Sequence, residues 1–181
     1  MTEEDEIQVI QRVLDGDIDA YSALVETYQN PLIRMLTTLL NDRRRFAEDV
    51  AQEVMVEAFR RLRGFDPARS KFSTWLFMIA RSRGINALKR KRLQLFADVP
   101  EQIDEAQGDE PGALREELSI LDRAVHELPP KQKRAFVLAV IEGMPQGDVA
   151  RVEGVAVGTI KSRVSRAREF LKTALETQTK Q

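Results

Sequence analysis

Glu153-Gly154-Val155-Ala156-Val157-Gly158-Thr159-Ile160-Lys161-Ser162-Arg163-Val164-Ser165-Arg166-Ala167-Arg168 is the stretch on which the reading of this chain turns. Residues 146–152 ahead of it suit a short helix, the glycine at 154 makes a turn, and a long helix is predicted over 157–174. At about 100° per residue, Ile160, Val164, Ala167, Leu171 and Leu175 fall on one apolar stripe. The opposite face carries Thr159, Ser162, Arg163, Ser165 and Arg166, with Lys161 in the same basic run. A short helix, a glycine turn and a basic second helix together predict a helix-turn-helix. In such a unit the N-terminal part of the second helix enters the major groove. Arginine there reaches guanine O6 and N7, while Ser and Thr donate to phosphates or bases.

Helices are predicted on both sides of this unit. A helix over 131–142 turns Phe136, Val137, Val140 and Ile141 inward, and Pro129-Pro130 ends another built on Leu114, Leu118, Leu121 and Val125. Residues 95–115 are acidic, weakly apolar and punctuated by Pro100, Gly108, Pro111 and Gly112, the composition of a flexible linker. Before the linker, Ile7, Ile10 and Leu14 recur at helical spacing until Asp15-Gly16-Asp17 breaks the pattern. Asp17 or Asp19 is expected to cap a second helix from about residue 20, with Leu24, Tyr28, Leu32, Met35, Leu36 and Leu39 inward and a kink at Pro31. A third helix is predicted over 46–63 on Val50, Val54, Ala58 and Leu62, and a turn over 64–71. A fourth helix, capped by Ser73 or Thr74, is apolar from 75 to 80 and basic from 81 to 92. No segment alternates with period two. The expected fold is all-α, with helical domains at 1–94 and 116–181 joined by a linker at 95–115.

Composition removes whole classes of function. The 181 residues contain no Cys and one His, His126, which excludes disulfides and thiolate chemistry and leaves little for a zinc site or an imidazole base. No metal or cofactor is expected. The acidic N-terminus has no signal-peptide pattern, and the longest apolar stretches fall short of the roughly 20 residues that span a bilayer. The chain reads as soluble, cytoplasmic and non-catalytic.

Net charge is −1, from 28 Lys+Arg against 29 Asp+Glu, and its placement says more than its value. Arg81, Arg83, Lys89, Arg90, Lys91 and Arg92 make one basic segment, and Lys161, Arg163, Arg166, Arg168 and Lys172 a second. Clustered cations are the footprint of a polyanionic partner. In the first of these segments Ser82 and Asn86 lie four apart, beside Arg83, Lys89 and Arg90, joining base-edge hydrogen bonding to phosphate neutralisation. Asp49, Gln52, Glu53 and Glu57 share one polar face of the third helix.

Two blocks of residues resemble the extracytoplasmic-function sigma factors of bacteria, small sigma subunits of RNA polymerase. One is Ala47-Glu48-Asp49-Val50-Ala51-Gln52-Glu53-Val54, continuing through Gly64-Phe65-Asp66-Pro67 to Phe72-Ser73-Thr74-Trp75-Leu76 and Ile79-Ala80-Arg81. The other is Leu128-Pro129-Pro130 followed by Val157-Gly158-Thr159-Ile160-Lys161-Ser162-Arg163 and Ser165-Arg166-Ala167-Arg168. They stand in the order and spacing of the family's regions two and four. Ser82 replaces a frequent Asn, Asn86 a common Asp, and Met144-Pro145-Gln146-Gly147-Asp148 is an unusual lead into the helix-turn-helix.

The resemblance implies a protein that binds core polymerase and directs promoter recognition and initiation under an anti-sigma factor, without inserting into a membrane. It implies that Asp49, Gln52, Glu53 and Glu57 meet the beta-prime clamp helices, the beta subunit being a further contact. It assigns the minus-ten element to Phe65, Arg69, Lys71, Phe72, Ser82, Arg83, Asn86, Lys89 and Arg90, an unpaired base being held at the turn 64–71. It assigns the minus-thirty-five element to Thr159, Lys161, Ser162, Arg163, Ser165 and Arg166. Two rivals are an autonomous helix-turn-helix regulator and a sigma mimic that only titrates an anti-sigma partner. The polar face of the third helix argues against the first, and the retained DNA-facing cations against the second.

Overall fold

The computed structural model describes residues 1–41, 43–95 and 123–178, and among these it contains helices and turns but no strand. The helices are α1 (Glu3–Leu14), α2 (Tyr21–Leu39), α3 (Arg44–Arg61), α4 (Phe72–Leu95), α5 (Pro130–Phe136), α6 (Gln146–Glu153) and α7 (Val157–Gln178), with residues 123–127 also helical. They form two compact units, one built from the helices up to residue 95 and the other mainly from those after residue 123. The predicted linker and the positions Leu114, Leu118 and Leu121 lie outside the described residues.

In the first unit α2, α3 and α4 pack against one another and α1 packs on α2. The core is apolar and tight: Leu24, Leu32, Met35 and Leu36 of α2, Val50, Val54 and Ala58 of α3, and Leu76, Phe77 and Ala80 of α4 are buried. Close approach of α4 to α2 depends on Gly84, where a β-carbon would stand 2.5 Å from Leu39 Cδ2 and 3.0 Å from Leu36 Cδ2. The Tyr21 hydroxyl donates to the Met55 carbonyl at 2.8 Å, tying α2 to α3, and burial pushes its pKa up to about 12. Pro31 lies inside α2.

Local details depart from the pattern of the sequence. Helix α1 begins with a reciprocal cap in which Thr2 Oγ1 accepts from the Asp5 N–H and Asp5 Oδ2 from the Thr2 N–H, at 3.2 and 2.8 Å. Its buried stripe is Glu6, Ile10 and Val13, whereas Ile7 is exposed. Glu6 turns inward because the Tyr28 hydroxyl of α2 donates to its carboxylate, which makes burial of a polar group tolerable. Neither Asp17 nor Asp19 caps α2; Asp17 is engaged with Arg12 at 2.6 Å instead. At the start of α4, which begins at Phe72, the Ser73 hydroxyl donates to the Tyr28 oxygen, and Thr74 is wholly buried rather than capping.

In the second unit Pro130 sits in the first turn of α5, where its missing N–H is no loss. The helical turn then widens over Val137–Ile141, with the Glu142 N–H bonding the Val137 carbonyl at 2.9 Å. Such a turn takes up an additional residue and advances the helical phase. Ile141, expected inward, is therefore 53% exposed, while Val140 still packs on the core of Ala124, Leu128, Phe136, Ala167 and Leu171. Along α7, Ile160, Val164, Ala167 and Leu171 are buried as the stripe requires, and Leu175 is largely exposed.

Candidate nucleic-acid interface

The second unit carries a helix-turn-helix. Helix α6 ends at a turn in which Gly154 adopts φ +64°, a conformation that costs glycine nothing and an L side chain about 1–2 kcal/mol. The Val155 N–H then bonds the Ala150 carbonyl at 3.1 Å, closing the turn, and the Thr159 N–H bonds the Ala156 carbonyl at 2.9 Å as α7 begins. Burial of Val149, Ile160 and Val164 fixes how α7 rolls within this unit. Lys161, Ser165 and Arg166 are exposed; Thr159, Ser162 and Arg163 are half-buried. Ser162 spends its hydroxyl proton on the Thr159 carbonyl at 3.0 Å. The six residues nominated on α7 thus lie along its first turns, three of them fully presented to a partner.

In the first unit the nominated residues separate into groups. On α3, Asp49, Gln52 and Glu53 are exposed, and Glu57 is largely covered, its side chain 12% exposed. Glu57 Oε2 accepts from Arg83 Nη2 and Oε1 from Arg61 Nε, both at 2.5 Å. The hydrogen bond from Arg83, aided by the nearby positive charges, holds its carboxyl below the ordinary 4.5. Glu53 faces Arg90 at 3.5 Å and Arg83 at 3.9 Å. The supposed acidic stripe of α3 and the supposed cationic stripe of α4 therefore meet along one seam.

On α4, Ser82, Asn86, Lys89 and Arg90 are exposed, spread over about two helical turns. Ahead of it, the turn 64–71 is shaped by its own hydrogen bonds. The Ala68 N–H donates to Asp66 Oδ1 at 2.9 Å and the Arg69 N–H to the Asp66 carbonyl at 3.1 Å. Arg69 is exposed, and exposed Lys71 pairs with Glu3 of α1 at 2.9 Å. Phe72, nominated for a base, is instead core: it is 2% exposed, its ring edge-on to Tyr28 and Phe65 with centroids 5.5 and 5.6 Å away. Phe65 and Trp75, 5.4 Å apart and both half-buried, form the accessible part of the aromatic cluster.

Two of the pairings across the first unit differ in how far the sequence could show them. Glu3–Lys71 joins residues far apart in sequence and carries no sequence signal. Glu6–Tyr28 did leave one, an acid at the i, i+4 phase of Ile10 with Val13 following. Among the described residues no cluster of His, Asp or Glu could hold a metal ion, and no helix is long and apolar enough to cross a membrane.

Comparison with known proteins agrees on both units. Residues 24–94 match the family model described as Sigma-70 region 2, and residues 118–171 that described as Sigma-70, region 4. The RNA polymerase sigma-H factor of Pseudomonas aeruginosa is 34% identical over 188 residues, covering 97% of this chain and 96% of its own. The ECF RNA polymerase sigma-E factor of Haemophilus influenzae is 31% identical over 180 residues, covering 93% and 94%. Among solved structures, the sigma factor RpoE in complex with the anti-sigma factor NepR from Bartonella quintana matches with a TM-score of 0.70 at 26% identity, over 86% of this chain and 96% of that one.

Proposed function

Since the chain belongs to the extracytoplasmic-function sigma factors of RNA polymerase, we propose that its two units divide the work of promoter recognition in the way their surfaces suggest. The protein is a sigma factor that directs polymerase to promoters and is controlled by an anti-sigma factor. The match of both sigma regions, in order along one chain and within a relative aligned over 97% of it, carries this reading.

In the proposed division, the first unit binds core polymerase through exposed Asp49, Gln52 and Glu53 of α3, against the beta-prime clamp helices, with the beta subunit as a further contact. Acids suit a basic partner through steering and charge-assisted hydrogen bonds. Ser82, Asn86, Lys89 and Arg90 of α4, with Arg69 and Lys71 of the turn, face the minus-ten strand. There, cations neutralise phosphates and each one engaged steepens the salt dependence. Phe65, backed by Trp75, offers the ring on which an unpaired base stacks, worth about 1–3 kcal/mol. In the second unit Lys161, Ser165 and Arg166 meet the minus-thirty-five duplex, flanked by Thr159, Ser162 and Arg163. The protein supplies no catalytic group, metal or cofactor; polymerase performs nucleotidyl transfer, and the site of action is the cytoplasm.

The test is promoter-dependent run-off transcription with purified core polymerase. Addition of the protein is expected to convert non-specific initiation into promoter-specific initiation. Asp49→Ala with Gln52→Ala is expected to weaken competition for core at unchanged helical content. Tight DNA binding without core, and no gain on adding core, would instead identify a self-sufficient regulator.

A further inference from the structure

We propose that Glu57 is a positioning residue for promoter contact: from α3 it orients the Arg83 guanidinium on the DNA-facing side of α4, and it does not itself contact polymerase. The inference rests on the reading above of α4 as the minus-ten surface.

The geometry carries it. Glu57 shares a polar face with Asp49, Gln52 and Glu53 by spacing alone, yet the fold treats it differently. Its side chain is 12% exposed against 46% for Glu53, and each carboxylate oxygen already accepts from a guanidinium, Oε1 from Arg61 and Oε2 from Arg83. A carboxylate so covered and so engaged has little left to offer a polymerase side chain. The Arg83 side chain keeps 37% of its surface exposed, and Ser82 next to it and Asn86 three residues on are both exposed.

Arginine presents five N–H groups on a rigid plane, so one bond to Glu57 fixes the plane and leaves other donors for a phosphate or a base edge. Long arginine side chains lose rotamer freedom on binding, and a partner that fixes the rotamer beforehand removes that cost from the DNA-binding step. Charge is not cancelled by the arrangement. Among the described residues Glu53 and Glu57 pair with Arg61, Arg83 and Arg90, so these five side chains together keep one positive charge toward a polyanion.

The experiment compares parent, Glu57→Gln, Arg83→Ala and the double variant. Each is assembled into holoenzyme with core polymerase and titrated with a single-stranded minus-ten oligonucleotide over a range of salt. Competition for core is measured in parallel. Glu57→Gln is expected to weaken oligonucleotide binding about 3- to 10-fold and flatten the salt dependence, as Arg83→Ala does. The double variant should be no worse than Arg83→Ala alone, and core competition should stay within twofold of the parent. Loss of core competition with intact DNA binding would restore Glu57 to the polymerase face and overturn the proposal. Tighter DNA binding by Glu57→Gln would mean that the pair masks Arg83, and would overturn it too. Strictly additive losses would show that Glu57 does not act through Arg83.

If Glu57→Gln melts at low temperature, Glu57→Asp answers the same question, since it keeps the charge but withdraws it from Arg83 by one methylene. Parent-like DNA binding by a folded Glu57→Asp would overturn the proposal, and a loss coupled to Arg83 would support it. A parent protein that fails to give promoter-specific initiation in the same preparation would refute the sigma assignment of the surface, a failure separate from any of these.

Discussion

Tyr28→Phe removes one oxygen atom from the centre of the first unit, and the structure lets its cost be worked out in advance. The hydroxyl donates to the carboxylate of Glu6, which is 8% exposed, and accepts from Ser73 at the head of α4. A hydrogen bond to a charged group contributes about 1.5–3 kcal/mol, and the carboxylate left behind is too buried for water to compensate fully. For a domain of this size each kcal/mol moves the melting temperature by about 4–8 °C, so a drop of about 6–24 °C is expected at neutral pH. Trp75 is the sole tryptophan and packs against Phe65 and Phe72, so its fluorescence reports melting of this unit.

The pH dependence has a definite sign. Burial raises the carboxyl of Glu6 above its ordinary 4.5, while the bond from Tyr28 pulls it back down. The folded state therefore holds a proton more firmly than the unfolded chain. The stabilisation this gives is fully present below about pH 4.5 and is lost as pH rises through the folded value. Removing Tyr28 widens that window, so the deficit of Tyr28→Phe should be largest near pH 7 and shrink toward pH 4. Glu6→Gln keeps an acceptor for Tyr28 without a buried charge; it should flatten the pH profile and melt no lower than the parent at pH 7. A Tyr28→Phe protein that melts within a degree of the parent at neutral pH, or whose deficit grows on acidification, would refute this account.

Gly84→Ala sets a helix-propensity gain of about 1 kcal/mol against overpacking worth about 1–3 kcal/mol. Because the new β-carbon would meet the buried side chains of Leu36 and Leu39, a net loss of about 1 kcal/mol is expected in urea denaturation followed by Trp75, and a gain would show that α2 yields easily. Arg166→Ala is expected to remove about 1–3 kcal/mol of discrimination at one base pair of the upstream element. Lys172→Ala, whose amine already lies 3.7 Å from Glu176, should lower affinity slightly and evenly across sequences. Binding to cognate and single-substituted duplexes checks the pair, and equal losses on all duplexes for both variants would count against base readout by Arg166.

What the sequence made legible is what repeats. The stripe Ile160, Val164, Ala167 and Leu171 is periodic over about three turns, so the inner face of α7 and hence the face bearing Lys161, Ser165 and Arg166 could be read directly. Gly154 between two helical patterns is likewise a local signal, because only the turn needs its positive φ. Periodicity could not register single-residue events. The wide turn at Val137–Ile141 advanced the phase and moved Ile141 outward, and the Glu6–Tyr28 bond displaced Ile7 from the core by pairing residues 22 apart.

The polar residues raise a different problem, because a helical wheel assigns them to faces but not to partners. Asp49, Gln52, Glu53 and Glu57 share a stripe, and the stripe alone treats them alike. Tertiary packing divides them: Glu57 is met by Arg83 of α4 and turned inward, whereas Asp49 and Gln52 stay exposed. Phe72, 2% exposed, shows the same effect. An aromatic next to a loop offers the same surface to a core as to a base, and the choice falls to whichever partner is present in the folded chain at all times. Here Tyr28 and Phe65 are present, so Phe72 is structural and the exposed edge of the cluster passes to Phe65 and Trp75. A contact surface inferred from spacing should therefore be reduced by every residue that an internal partner also covers, which spares exposed Glu53, Lys71 and Arg90 despite their ion pairs. For this chain that subtraction removes Phe72 and Glu57 and leaves the two exposed faces on which its promoter reading depends.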